Sequence, residues 1–185
     1  MPRLILLNGA PGCGKHSLAR LMTARLPLAL ALDVDFLQHA LGRWDDDPAA
    51  SRRHARTLAV ALIREQLGSG HDVVLSQYVH SSDFVDELEA DAGDLGASFY
   101  EVFLVLDAAR LAERIAAIRA DRPDLLQHVA KRLVITPEDA PALVESVESL
   151  LRKRPNALRV EVADSPEETL ALIQTAIENA DAEAD

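Results

Sequence analysis

Apolar and polar positions fall into blocks whose period switches between that of a strand and that of a helix. Arg3 to Leu7 is a short apolar run, the pattern of a strand buried on both faces. Leu18, Ala19, Leu21, Met22 and Leu26 then recur at helical spacing. Leu28 to Leu32 predicts a second strand ending at Asp33, and Val34 to Leu41 a short helical piece. Trp44 to Pro48 is a loop, and Pro48 opens a helix to about Leu67 that Gly68-Ser69-Gly70 stops. Asp72 to Ser76 predicts a third strand. Ser81 and Ser82 then cap a helix from Asp83 to Ala92, with Phe84, Val85 and Leu88 facing inward. A fourth strand spans Phe99 to Leu106 and a helix Ala108 to Ala120, broken by Asp121-Arg122-Pro123-Asp124. A polar helix to about Leu133 follows, then one from Pro137 to Arg154 and a last strand from Leu158 to Val162. Ser165-Pro166-Glu167-Glu168 is a capping-box start for the final helix, whose acidic end from Glu178 to Asp185 is expected to fray. Strands alternating with helices predict an α/β protein with a five-stranded parallel sheet covered on both faces. Ligand then binds at the carboxyl ends of the strands.

The first strand runs directly into Gly9-Ala10-Pro11-Gly12-Cys13-Gly14-Lys15, which matches G-x-x-x-x-G-K, the P-loop or Walker A pattern, and a helix follows. Glycines let successive backbone N–H groups turn inward around a phosphate. The helix adds the positive end of its dipole, and Lys15 adds a full charge. The nucleotide-binding candidates here are Gly9, Ala10, Pro11, Gly12, Cys13, Gly14, Lys15, His16 and Ser17, and the expected ligand is a nucleoside triphosphate. One position departs from the pattern. The residue after the lysine is normally Ser or Thr, whose hydroxyl holds the Mg²⁺ that bridges the β- and γ-phosphates. Here it is His16, with the serine one residue later. A helical step turns a side chain by about 100°, so Ser17 does not take over that place and is expected to face the α-phosphate. Imidazole is a poor ligand for a hard cation. His16 therefore either points aside or weakens metal binding.

Residues just past each strand end line the expected crevice: the P-loop, Asp33 and Asp35, Gln77 to His80, and Asp107. Two carboxylates spaced i, i+2 can divide the labour, one holding a metal and the other accepting a proton from a hydroxyl. A helix cap plus a solvated acid is the plainer alternative for the pair. The third strand ends in Ser76, where a metal-holding strand would end in Asp. The densest basic stretch beyond the P-loop runs through Arg110, Arg114, Arg119, Arg122, Lys131 and Arg132. With its Asp-Arg-Pro-Asp break it predicts a lid at about 119–137 closing over the triphosphate, or alternatively a solvated helix face. Arg119 and Arg132 suit that role better than Arg110. Arg52, Arg53, His54 and Arg56 are expected to form a solvated face, and His80 to be a cap or surface residue.

At 185 residues the chain is expected to be one domain. Hydrophobic residues make up 49% and aromatic ones only 4%, so the core is aliphatic. Nineteen basic against 30 acidic residues give a net charge of −11, which argues against a nucleic-acid or anionic-membrane partner. The single Cys13 excludes an intramolecular disulfide and suits a reducing cytoplasm. No stretch has the length of a membrane span, and the start of the sequence does not look like a signal peptide.

These residues resemble the small P-loop kinases of metabolites and antibiotics: shikimate and gluconate kinases, chloramphenicol phosphotransferase and the tunicamycin-resistance proteins. The resemblance extends from Leu4 to about Ile173. The Asp33-Val34-Asp35 spacing is similar to that of shikimate kinase, and VVLSQYVHSSDFVDEL to the tunicamycin-resistance group. It implies a three-layer P-loop NTPase fold of nucleoside-monophosphate-kinase topology, ATP and Mg²⁺ as cofactors, and a lid with arginines. The expected activity is phosphotransfer from ATP to a hydroxyl of a small-molecule substrate, by a monomer or homodimer. Lys15, Asp33, Asp35 and Arg119 would be catalytic. Arg114, Arg119 and Arg132 would hold nucleotide together with the P-loop, and Asp33 and His16 would lie at the metal. His16, and the lack of a shikimate-type glycine-rich loop after the third strand, depart from the resemblance. A nucleotide-binding protein without phosphotransfer and a toxin-type kinase of a larger acceptor are the rival readings.

Overall fold

Strand β1 (Arg3–Gly9) is apolar through Leu7 because it lies between two other strands, with helices above and below. The structure, a computed structural model, describes residues 1–79, 82–121 and 135–184. In chain order, β1 is followed by α1 (Lys15–Thr23), β2 (Leu30–Leu32), α2 (Val34–Ala40), α3 (Pro48–Gly68) and β3 (Val73–Ser76). Then come α4 (Ser82–Asp94), β4 (Ser98–Val105), α5 (Ala108–Asp121) and a 3-10 turn at Pro137–Asp139. Helix α6 (Ala140–Leu151), β5 (Leu158–Glu161) and α7 (Pro166–Ala184) complete the order.

The sheet has the order β2-β3-β1-β4-β5, with every pairing parallel. Its two faces bury alternate residues. Leu4, Leu6, Val73 and Leu75 pack under Ala59 and Ile63 of α3 and Leu88 of α4. Phe103 and Val105 continue that face beneath Leu111 and Ile115 of α5 and Val147 of α6. On the other face, Ile5, Leu7, Val102 and Leu104 meet Leu18 and Met22 of α1 and Leu170, Ile173 and Ile177 of α7. At the amino ends of the strands, Arg3 donates from its backbone N–H and guanidinium to Asp72, at 2.9, 3.0 and 2.6 Å, and ties β1 to β3.

Among the described residues the expected elements are present, with three differences. Strand β2 starts at Leu30, because Leu28 takes a left-handed backbone (φ 56°) and is exposed. The helix expected from Pro137 to Arg154 begins as a 3-10 turn, held by Asp139 accepting from the Thr136 backbone N–H at 2.8 Å, and ends at Leu151. The acidic end is no frayed tail: α7 continues to Ala184, its apolar side carrying Ile173 and Ile177, with the Tyr100 hydroxyl donating to Asp181. The predicted capping box is present, Glu168 N–H donating to Ser165 Oγ at 3.2 Å and Ser165 N–H to Glu168 Oε2 at 3.3 Å. The polar helix expected to Leu133, and most of the expected lid, lie outside the described residues.

Candidate nucleotide and acceptor site

The P-loop leaves β1 at Gly9, whose φ of 148° and surroundings allow no side chain. A Cβ there would sit 2.7 Å from the Leu104 carbonyl oxygen of β4. At Gly12 (φ 90°) a Cβ would press on Ile115 of α5 at 3.1 Å. The loop is thus moulded against β4 and α5, and it ends at Gly14, which starts α1 without a side-chain cap. The first N–H groups of α1 are left for an anion. Cys13 is fully buried in the core beneath α1, a packing residue.

Lys15 folds back over the loop. Its ammonium donates to the carbonyl oxygens of Gly9 at 2.7 Å and Ala10 at 3.0 Å, and lies 6.0 Å from the centre of the Tyr78 ring. Tyr78 in turn donates to Ser146 Oγ of α6 at 2.9 Å. The guanidinium of Arg114 stands 3.3 Å from where a Gly14 Cβ would be, so α5 delivers a second cation to the mouth of the loop.

A polar residue interrupts the apolar run of β1. Asn8 is buried, and its Oδ1 accepts from the N–H groups of Gly9 (2.8 Å) and Val79 (3.2 Å). Its Nδ2 donates to the buried Glu101 Oε1 at 3.3 Å. Glu101 accepts from Arg154 Nε at 2.7 Å, and Arg154 also reaches Asp86 and Glu89. One side chain therefore pins the start of the P-loop to the segment after β3, and a buried ion pair fixes its orientation.

The two carboxylates after β2 differ in surroundings. Asp33 caps α2, with Oδ1 accepting from the Asp35 and Phe36 N–H groups at 2.9 and 3.3 Å. Its other oxygen accepts from Ser76 Oγ at 3.3 Å and lies 3.6 Å from His16 Nδ1. The two alternatives for Asp33 coincide: it is a cap, and it faces the P-loop. Asp35 lies deeper. Burial pushes its carboxyl above the usual range and the neighbouring Asp33 adds to this, while the Gln77 amide, His39 and Arg52 pull the other way. Gln77 Oε1 is buried with no hydrogen-bond partner among the described residues.

His16 sits at the first turn of α1, half-exposed, with Nδ1 toward Asp33 rather than aside. Ser17 is exposed. Asp107 caps α5, accepting from the Arg110 N–H at 2.9 Å, and Arg110 turns away to Val162 and Asp164. Arg119 donates to the Ile135 carbonyl at 3.1 Å. Arg132, Lys131, Arg122 and His80 lie outside the described residues. Arg52, Arg53 and His54 are exposed as expected, whereas Arg56 is half-buried and lies 5.0 Å over the Phe84 ring. Sequence reasoning placed Gln77 and Tyr78 in the crevice without a role, and it missed Asn8 and Glu101. The one available signal was a polar residue within an otherwise apolar strand, at Asn8 and at Glu101.

For a divalent cation the chain offers one imidazole nitrogen and one carboxylate oxygen facing each other, and no cluster of three or more ligating side chains among the described residues. That donor pair suits a cation whose remaining ligands are phosphate oxygens and water. No described helix is long and apolar enough to cross a membrane.

Comparison with known proteins agrees with this geometry. A family model described as an AAA domain matches residues 4–135, from β1 to just beyond α5. No curated protein matches the sequence. Among solved structures, a gluconokinase from Sinorhizobium meliloti 1021 is similar over 100% of this chain and 98% of its own, at 21% identity and a TM-score of 0.59. The tunicamycin resistance protein of Deinococcus radiodurans is similar over 96% of each chain, at 14% identity and a TM-score of 0.62. Kti12 of Chaetomium thermophilum, in complex with ADP-AlF3, is similar over 96% of this chain and 98% of its own, at 18% identity and a TM-score of 0.64. With the P-loop, the five-stranded parallel sheet and the match over residues 4–135, this chain belongs to the AAA-domain family of P-loop proteins and has the fold of the P-loop small-molecule kinases.

Proposed function

We propose that the protein transfers the γ-phosphoryl group of ATP to a hydroxyl of a small molecule. The observation that carries this reading is the unequal pair of carboxylates opposite the P-loop. Asp33 is held by two backbone N–H groups and Ser76 and faces His16, which suits an ionised anchor for a cation. Asp35 is half-buried, and desolvation raises its proton affinity, which suits a group that takes a proton during reaction. A bound divalent cation would neutralise charge on the phosphates, held by Asp33 and His16.

The Lys15 ammonium, released from the Gly9 and Ala10 carbonyls, would bind the β- and γ-phosphates, with Arg114 at the loop mouth. Asp35 would accept the acceptor's hydroxyl proton as its oxygen bonds to the γ-phosphorus. The bond from that phosphorus to the β–γ bridging oxygen breaks, and ADP leaves. Gln77, with an unpaired Oε1 beside Asp35, would orient the acceptor. A lid at about 119–137 carrying Arg119 and Arg132 would exclude water.

The test is ADP release from ATP across a library of hydroxylated metabolites and antibiotics. We expect one chemical class to accelerate it, and Asp35→Asn to abolish the acceleration while ATP binding persists. Tight ATP binding with no acceleration by any acceptor would favour the second reading, a nucleotide-binding protein without phosphotransfer. His16 in place of the P-loop hydroxyl is the observation on that side.

A further inference from the structure

The P-loop of this chain has exchanged oxygen donors for a nitrogen donor at its metal position. Two departures, far apart in sequence, meet there. His16 stands where a hydroxyl is expected, and β3 ends in Ser76 where a carboxylate is expected. Each removes a hard oxygen ligand. What remains is His16 Nδ1, 3.6 Å from Asp33 Oδ2. Ligands about 2.1 Å from one octahedral metal lie about 3.0 Å apart at a right angle. The observed spacing is about 0.6 Å longer, a gap that rotation of an exposed imidazole can close.

The surroundings fix the Asp33 half of this pair. Asp33 is oriented by the Asp35 and Phe36 N–H groups on one oxygen and by Ser76 Oγ on the other, the outer contacts that set a metal ligand's direction. His16 stands on the first turn of α1, one residue after the lysine that closes over the P-loop. Its side chain is 61% exposed, so no core packing holds the imidazole in place.

We infer that this site selects a first-row transition dication of the Mn²⁺ type over Mg²⁺ for the bound nucleotide, with His16 as a direct ligand. Mg²⁺ requires near-ideal all-oxygen coordination and gives up water reluctantly, whereas affinity for a mixed N/O set rises along the first row from Mn²⁺. The inference rests on the nucleotide-binding half of the proposed function, and it holds whether or not phosphotransfer follows.

ADP, which has no γ-phosphoryl group to transfer, separates the two. ADP affinity is first measured by calorimetry in chelator, then with Mg²⁺ and with Mn²⁺, for the native chain and for His16→Ser. We expect the Mn²⁺-over-Mg²⁺ preference to be at least tenfold larger in the native chain than in His16→Ser, in which the restored hydroxyl improves Mg²⁺ binding. Pulsed electron paramagnetic resonance of the Mn²⁺–ADP complex should show nitrogen modulation that His16→Ser abolishes. A preference equal in the two proteins, or modulation that survives the substitution, would overturn the inference and leave nucleotide binding standing. Failure of ADP to bind under any condition would overturn both.

Discussion

Replacing Asn8 by Ala tests whether the P-loop owes its shape to one buried amide. The substitution leaves the Gly9 and Val79 N–H groups, at 2.8 and 3.2 Å from Oδ1, without an acceptor, and removes the amide donor from Glu101. All of this occurs at a side chain 2% exposed, where water does not readily substitute. Each orphaned buried group costs about 1–3 kcal/mol; the cavity is small, so the expected total is about 3–5 kcal/mol. For a chain of this size that lowers the melting temperature by roughly 6–20 °C. Asn8→Asp distinguishes the amide's two ends. It keeps the acceptor for both N–H groups but sets a carboxylate against buried Glu101, so it should be destabilised mainly at neutral pH and recover as the pair takes up a proton. The assays are thermal unfolding by circular dichroism and ADP calorimetry. Asn8→Ala should bind ADP at least tenfold more weakly, because the Gly9 N–H lies at the start of the cradle, and Asn8→Asp, which keeps that acceptor, should lose less. An Asn8→Ala melting temperature within 2 °C of the native value, with ADP affinity unchanged, would refute the reasoning.

Lys15→Ala should cost about 2–4 kcal/mol of transition-state stabilisation, the scale for one preorganised electrostatic group, and weaken ATP far more than adenosine in calorimetry. Gly12→Ala should lower stability by about 1–3 kcal/mol in denaturant unfolding, since it combines a positive φ with a Cβ 3.1 Å from Ile115. A native-like unfolding midpoint would show that α5 does not brace the loop. Asp35→Asn should raise stability at pH 7 while lowering kcat by roughly 10²–10⁴. The sign follows from the raised carboxyl: protonation favours the fold, so this residue's contribution declines as pH climbs from 3.8 through the higher folded value. Melting curves of the native chain and of Asp35→Asn should therefore converge below pH 3.8 and separate above it.

What the sequence makes legible is what neighbouring residues decide. The P-loop, the capping boxes and the Asp33–Asp35 pair are local, and strand ends in a parallel sheet point to one crevice whatever the topology. Asn8, Glu101 and Arg154 were illegible as a unit because 93 residues separate the first two and 53 the last two, and no pattern links them. A carboxylate in the middle of Phe99-Tyr100-Glu101-Val102-Phe103 was visible, but its partner was not. The direction of His16 depended on where β2 ends relative to α1, a matter of sheet order rather than of spacing. The end of α7 misled because Glu178 to Asp185 reads as acidic and soluble, while Ile173 and Ile177 just before it bury one side of the helix.

The central place of β1 has a consequence for the order in which the molecule is made. The strand is synthesised before both its neighbours, which come from residues 73–76 and 98–104. Gly9 acquires its shape only against the Leu104 carbonyl. More than half of the chain must therefore leave the ribosome before the phosphate cradle exists, however early its residues appear. Nucleotide cannot steer the nascent amino-terminal half. It can only reward the finished sheet, so a bound nucleotide would guard the folded domain rather than its assembly.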